Sequence, residues 1–234
     1  MFKRILKIEK PVLNDHWRLL ITGVTSIHGW PIYKYVRTLL RPENLFAIRP
    51  PKMDIPDNEN VLSLCMTDTA GLEKIKETFN PTHIIICSGV CDLDVCEERP
   101  DWAYALNVIG AGNIISVFEE PTYIMYMSSD LVFSGNNPPS QGYTEEDAPN
   151  PVSVAGKTIL GAEQEILKAQ KNCIIRLGLP VGDSITGTKG GADWVEGRFR
   201  KNRPVTLFHD EFRSCIACDE IADIVTCLFS QEIQ

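Results

Sequence analysis

Along the chain, short apolar runs alternate with longer stretches in which apolar positions recur every three or four residues. Arg18-Leu19-Leu20-Ile21-Thr22 is the first short run, of strand type, and Gly23 ends it. From Gly29 the period changes: Ile32, Tyr35, Val36 and Leu39 share a helical face, and Pro31 suits a first helical turn. Residues 18–37 therefore read as strand, turn and helix. Leu45-Phe46-Ala47-Ile48 is a second strand, closed by Arg49-Pro50-Pro51 because proline cannot continue a ladder. Residues 61–64 form a weak strand, and 69–79 a helix striped by Leu72, Ile75 and Phe79. His83-Ile84-Ile85-Ile86-Cys87 is an unbroken run, the pattern of a parallel strand buried on both faces.

Further on, residues 100 to about 120 predict one long helix with Leu106, Ile109, Gly110, Ile114 and Val117 on one side. A strand at 123–127, a helix at 154–168 and a strand at 173–177 follow. This alternation predicts an α/β fold, a Rossmann-type doubly wound parallel sheet with a small, reduced C-terminal substrate-side segment. The expected division is an N-terminal arm at 1–17, a dinucleotide-binding domain at 18–180 and the substrate-side segment at 181–234. The Gly/Thr/Asp-rich stretch 183–197 predicts a mobile loop.

At 234 residues the chain is long enough for one sizeable core. With 44% hydrophobic and 23% charged residues, disordered and fibrous classes drop out. A net charge of −8 argues against coating nucleic acid or an anionic membrane, both of which demand a basic face. No run approaches the ~18 apolar residues of a membrane helix. Residues 1–10 alternate Lys/Arg with Ile/Leu and lack the apolar stretch of a secretory signal, so a surface helix or extended arm is expected there. Eight scattered cysteines without an export signal then read as reduced thiols of a cytoplasmic protein.

Thr22-Gly23-Val24-Thr25-Ser26-Ile27-His28-Gly29 lies where a dinucleotide fingerprint belongs, between the first strand and the first helix. Backbone N–H groups at a helix N-terminus hold a pyrophosphate there, and glycines let the backbone approach it. Gly23, Thr25, Ser26, Ile27 and Gly29 are the candidate cofactor residues. Ser26 occupies the place of a middle glycine, and a tight turn with no ligand would use the same glycines. At the end of the second strand an acid reads the ribose of NAD, whereas an arginine accommodates the 2′-phosphate of NADP. Arg49 stands there, with Lys52 close behind and no acid until Asp54. This favours NADP over NAD, although a surface arginine is an equally simple reading.

Other segments carry a family likeness. They are Cys87-Ser88-Gly89-Val90-Cys91-Asp92, Ala103-Tyr104-Ala105-Leu106-Asn107-Val108, Tyr126-Met127-Ser128-Ser129-Asp130-Leu131-Val132-Phe133, and Tyr143-Thr144-Glu145-Glu146-Asp147 with Asn150-Pro151. Over about residues 18–228 the chain resembles the extended short-chain dehydrogenase/reductases, within them the dTDP-4-dehydrorhamnose reductase group. The resemblance implies NADP or NAD as cofactor, Ser88, Gly89 and Asn107 on the cofactor side, Ser129 as the hydroxyl that holds a carbonyl, and a nucleotide-sugar ligand. It also implies a tyrosine that moves the proton and a lysine that lowers its pKa, because an unassisted phenol titrates near 10. In Val154-Ala155-Gly156-Lys157-Thr158-Ile159 those two positions hold Ala155 and Ile159. Lys157 lies about 200° around the helix from Ile159 and cannot replace it. Asp130 or Tyr143 are the candidate substitute acids.

The group includes a regulatory subunit of the S-adenosylmethionine-forming enzyme. Three expectations follow: a dinucleotide-binding protein, homo-oligomeric or a partner subunit, that is regulatory or structural or runs an altered reaction without the tyrosine; an active NADP-dependent nucleotide-sugar reductase or epimerase with a substitute acid; or an interaction module whose cleft holds no dinucleotide. The chain is also shorter than the enzymes it resembles, which predicts a reduced substrate lobe. Among the remaining features, Cys215-Ile216-Ala217-Cys218 has C-x-x-C spacing, yet buried inert thiols are a better reading than a metal site. Arg198, Arg200, Lys201 and Arg203 precede a strand-like 204–208 and could meet a diphosphate or simply face solvent. His28 could touch a phosphate or cap the helix. His209, Asp210 and Arg213 lie on a polar loop with no nucleophile to serve.

Overall fold

The structure, a computed structural model, describes residues 11–51, 53, 60–118, 122–187 and 190–233; the arm expected at 1–10, and Lys52, Asp54, Glu120 and Gln234, lie outside them. Six parallel strands form the central sheet: β1 (Leu19–Thr22), β2 (Leu45–Arg49), β3 (Val61–Ser63), β4 (His83–Ile86), β5 (Tyr123–Ser129) and β6 (Asn172–Leu177). Their order is β3-β2-β1-β4-β5-β6, so the winding reverses between β1 and β4. In open α/β sheets that reversal opens a crevice beyond the carboxyl ends of the strands.

Successive strand residues point to opposite faces, and both faces here are covered. Ile21, Ile85 and Met125 pack with α1 (Gly29–Val36) and α8 (Cys218–Ser230) on one side. Leu20, Ile84 and Ile124 pack with α2 (Thr69–Thr78), α5 (Gly110–Val117) and α6 (Val154–Ile166) on the other. Each fully buried Leu or Ile side chain contributes about 1.5–3 kcal/mol. The remaining helices are α3 (Leu93–Glu98), α4 (Pro100–Tyr104) and α7 (Gly191–Arg200). A second sheet pairs β7 (Leu179–Val181) with β8 (Cys215–Ala217), again in parallel. Among the described residues no helix is long and apolar enough to cross a membrane.

Three sequence expectations are corrected. The long helix from 100 is α4, a π-helical turn at Ala105–Ile109, and α5, which ends at Val117. The wide turn shifts the helical phase, so Ile109, expected on the apolar stripe, is 45% exposed while Asn107 and Val108 turn inward. Its cause is Asn107: the amide donates to Val90 O (2.9 Å) and Thr158 Oγ1 (2.8 Å) and accepts from Val90 N–H (2.8 Å). The loop expected at 183–197 is helical from Gly191, where Asp193 accepts from the Ser184 hydroxyl (2.5 Å) and is buried in the first turn. Residues 204–208 form no strand, since no neighbouring strand offers them a ladder.

A second polar network lies inside the core. Ser128 and Arg176 face each other across β5 and β6. Glu163 of α6, its side chain 3% exposed, accepts from Ser128 Oγ (2.5 Å) and from Arg176 Nε and Nη2 (2.9 and 2.8 Å). The guanidinium also lies over the Phe133 ring, 5.1 Å from its centroid. Removing one partner of such a pair strands the other. Glu163→Ala is expected to lower stability by ~3 kcal/mol in urea denaturation, and adding Arg176→Met to recover part of the loss.

Candidate functional site

The parallel register brings the carboxyl ends of β1, β2, β4 and β5 to one edge. Thr22 is level with Ile48 and Ile86, and Ile86 with Tyr126. Gly23, Arg49, Ser88 and Ser129 therefore gather at the mouth of the β1/β4 crevice. The Thr22 and Ser88 hydroxyls are hydrogen-bonded (2.8 Å), and Val24 N–H donates to Ile48 O (3.0 Å). Gly23 has φ +65°, and a Cβ there would lie 2.4 Å from Ser88 N. A Cβ on Gly29 would lie 2.6 Å from Gly23 O. Both glycines are dictated by backbone crossing.

The turn itself departs from a plain phosphate cradle. Ser26 N–H donates to Gly23 O (2.9 Å), and Gly29 N–H donates to Ser26 Oγ (2.9 Å). The N–H groups of Ile27 and His28 bond no described residue. His28 makes no side-chain cap, contrary to the simpler sequence reading; both its ring nitrogens are buried and unpaired among the described residues. Thr25 is buried. A Cβ on Gly190 would lie 2.3 Å from Ile27 Cδ1, so the segment entering α7 closes over the turn. Beneath the turn, burial pushes the Cys87 thiol far up, which makes it inert.

On the other face of the sheet from α1 lies α6. Ala155 has no exposure (0%) and packs with Cys96, Ala103, Val90 and Leu131; Ile159 is buried too. Gly156 lets α6 seat against the chain after β5, where a Cβ would lie 2.1 Å from Leu131 O. Lys157 points to solvent. Neither Ala155 nor Ile159 can donate a proton or carry charge. Asn107 and Gly89 stand at the end of this wall, bonding the Val90 backbone and packing against Asn107 respectively.

Ser129 ends β5; its hydroxyl donates to Asp130 Oδ1 (3.2 Å) and accepts from Leu131 N–H (3.3 Å). Asp130 forms a two-armed ion pair with Arg213 from the segment before β8, Nε to Oδ2 at 2.9 Å and Nη2 to Oδ1. That hydrogen bond raises the Arg213 pKa further. Sequence reasoning named both residues without pairing them, because 83 positions separate them. Tyr143 is drawn away by stacking on Phe133, centroids 4.3 Å apart at 8°.

The other candidates disperse. Arg49 Nη1 bonds Met53 O (2.6 Å) at the end of β2. Arg198 lies over Trp194 and bonds Pro204 O (2.6 Å), while Arg200 pairs with Glu196 (2.7 Å). Cys215 is exposed and Cys218 buried at the start of α8. His209 is almost wholly exposed.

His28 sets a measurable condition. Burial pushes it from 6.5 down to about 4. The unfolded chain keeps the ordinary value, so between pH 6.5 and 4 it binds more protons, and stability is lost as pH falls. The His28 share approaches ~3 kcal/mol near pH 4; His83, lowered by burial against the opposing Glu232, adds to the same window. His28→Leu is expected to raise stability at pH 7 by ~1–2 kcal/mol by removing unpaired buried polar atoms. It should also flatten the acid limb of urea-denaturation stability plotted against pH.

Comparison with known proteins agrees with this architecture. Methionine adenosyltransferase 2 subunit beta of Bos taurus is 35% identical over 163 residues, covering 69% of this chain and 46% of that protein. The chain thus spans less than half the length of that relative. A dTDP-4-dehydrorhamnose reductase of Bacillus anthracis, solved in complex with NADP, superposes with a TM-score of 0.73 at 23% identity, covering 93% of this chain and 72% of the other. The Bordetella bronchiseptica enzyme WbmG, solved with NAD and UDP, superposes at 0.76 and 18% identity, covering 94% and 70%. The RmlD substrate binding domain family matches residues 17–234, and the chain belongs to that family, within the extended short-chain dehydrogenase/reductases.

Proposed function

We propose that the chain binds NADP or NAD in the glycine turn and acts as a regulatory or structural partner without the family's proton-transfer chemistry. The observation that carries this reading is the α6 wall, where Ala155 and Ile159 are buried among apolar side chains. Reduction of a ketone needs an acid beside the carbonyl, and these positions supply none. The turn keeps what binding needs: two N–H groups without a partner among the described residues, a helix N-terminus, and close-packed glycines. Ser88, Gly89, Asn107 and Thr25 line that side, with residues 181–234 as the substrate-side segment. The likeness to beta subunits of methionine adenosyltransferase supports a partner role.

A second reading is an active NADP-dependent reductase or epimerase of a nucleotide sugar. The Ser129–Asp130–Arg213 cluster favours it, since it places a hydroxyl and a guanidinium at the end of β5. WbmG, solved with NAD and UDP, gives support to a nucleotide-bearing ligand as well as a dinucleotide.

Titration of the chain with each dinucleotide, followed by calorimetry, tests the binding. Saturable binding of NADP is expected, with Arg49→Glu weakening NADP about tenfold more than NAD. Mixing the NADPH complex with a dTDP-4-keto sugar should leave the nicotinamide absorbance unchanged; stoichiometric oxidation would establish the second reading instead.

A further inference from the structure

The segment between α7 and β8 is anchored at both ends and bare in between. Arg203 N–H donates to Arg198 O (2.9 Å) and Arg198 Nε to Pro204 O (2.6 Å), which fixes its start on α7. At its end, Arg213 is paired with Asp130, and Leu179 N–H donates to Ser214 O (2.7 Å). Between these anchors no main-chain group of residues 205–212 bonds another described residue. Leu207, Phe208 and Phe212 are 75%, 72% and 90% exposed. Val205-Thr206-Leu207-Phe208 also has the β-branched and aromatic content of a strand. Such a segment, with its N–H and C=O groups unpaired, is a template for pairing with another chain.

Charge identifies that chain. Lys201 and Arg203 stand at one end of the segment, Asp210 and Glu211 at the other, and all four are exposed. Asp210 meets only His209, at 3.9 Å, among the described residues. A uniformly acidic or basic partner would be repelled at one end. A net charge of −8 makes copies of the chain repel at long range, so a contact between them is favoured where both signs are present. In a twofold contact any two residues that meet do so twice, once in each sense. Antiparallel pairing centred between Thr206 and Leu207 sets Arg203 opposite Asp210 and Val205 opposite Phe208. We propose that residues 203–210 of two copies pair in this way, making this segment the dimer contact of the protein. The contact stands whether or not the glycine turn holds a dinucleotide.

Sedimentation equilibrium on the full chain over a concentration series tests it, with urea denaturation checking that each variant folds. The apolar area is small, so a monomer–dimer equilibrium with a dissociation constant of about 10 µM is expected. Arg203→Asp and Asp210→Arg each set like charges opposite one another at both ends. Each is expected to weaken self-association at least ~10-fold, with folding unchanged because both positions are exposed. Mixed in equal amounts, the two variants set unlike charges opposite at both ends, and a mixed dimer within about threefold of the original affinity is expected. No merely structural role for either side chain predicts that recovery. Single variants that dimerise as before, or a mixture that stays monomeric, would overturn the proposal. So would an unsubstituted chain monomeric at about 200 µM, which would assign the segment to a different partner.

Discussion

The main chain leaving β1 runs against the main chain leaving β4 with no space for a side chain between them. Gly23 meets this with a left-handed φ of +65°, and the Thr22–Ser88 hydroxyl bond ties the two strand ends just below. This crossing sets where α1 can begin, hence which N–H groups look into the crevice. It follows from the strand order, because β1 and β4 are neighbours at the point where the sheet reverses. The glycines at 23 and 29 are required for that packing with or without a ligand. Their presence is evidence for the fold first, and for a cofactor only through the donors they leave open.

The opposite wall is fixed just as firmly. Asn107 turns inward through a π-helical turn, grips both polar groups of Val90 and reaches Thr158 on α6. Gly156 brings α6 against the backbone at Leu131, and Glu163 locks the same helix to β5 and β6. Positions 155 and 159 therefore have no freedom to trade places with a neighbour. Lys157, two residues from each and about 200° around the helix, faces solvent. A rigid helix makes the chemistry of two side chains decisive.

The sheet was readable because parallel strands buried on both faces appear as unbroken apolar runs, and His83 to Cys87 is one of them. The helix from 100 was only partly readable: its existence follows from periodicity, but its phase shift follows from Asn107 bonding groups that the local sequence does not contain. The strand expected at 204–208 failed because a strand needs a partner, and propensity says nothing about one. At the site, Gly23, Ser26 and Gly29 were named from their place after the first strand, and Ser88 and Ser129 from the family resemblance. The Asp130–Arg213 pair and the unpaired imidazole of His28 were not, since each depends on what surrounds the side chain in space.

Set side by side, the two walls have changed in opposite directions. Where the family resemblance leads one to expect a phenol and an ammonium, α6 carries a methyl and a branched alkyl group. Where the fingerprint has a middle glycine, this chain carries the Ser26 hydroxyl, and His28 lies two residues further on in the same turn. Positions 155 and 159 of α6 thus carry no group that could move a proton, while the turn after β1 carries polar side chains at 26 and 28. Buried apolar side chains at 155 and 159 stabilise α6, while the buried imidazole at 28 costs stability, so packing alone accounts for the first change and not for the second. Under the proposed function, a glycine turn with open donors and an α6 without acid or base at 155 and 159 is the arrangement expected of a protein that holds a dinucleotide and leaves it unreacted.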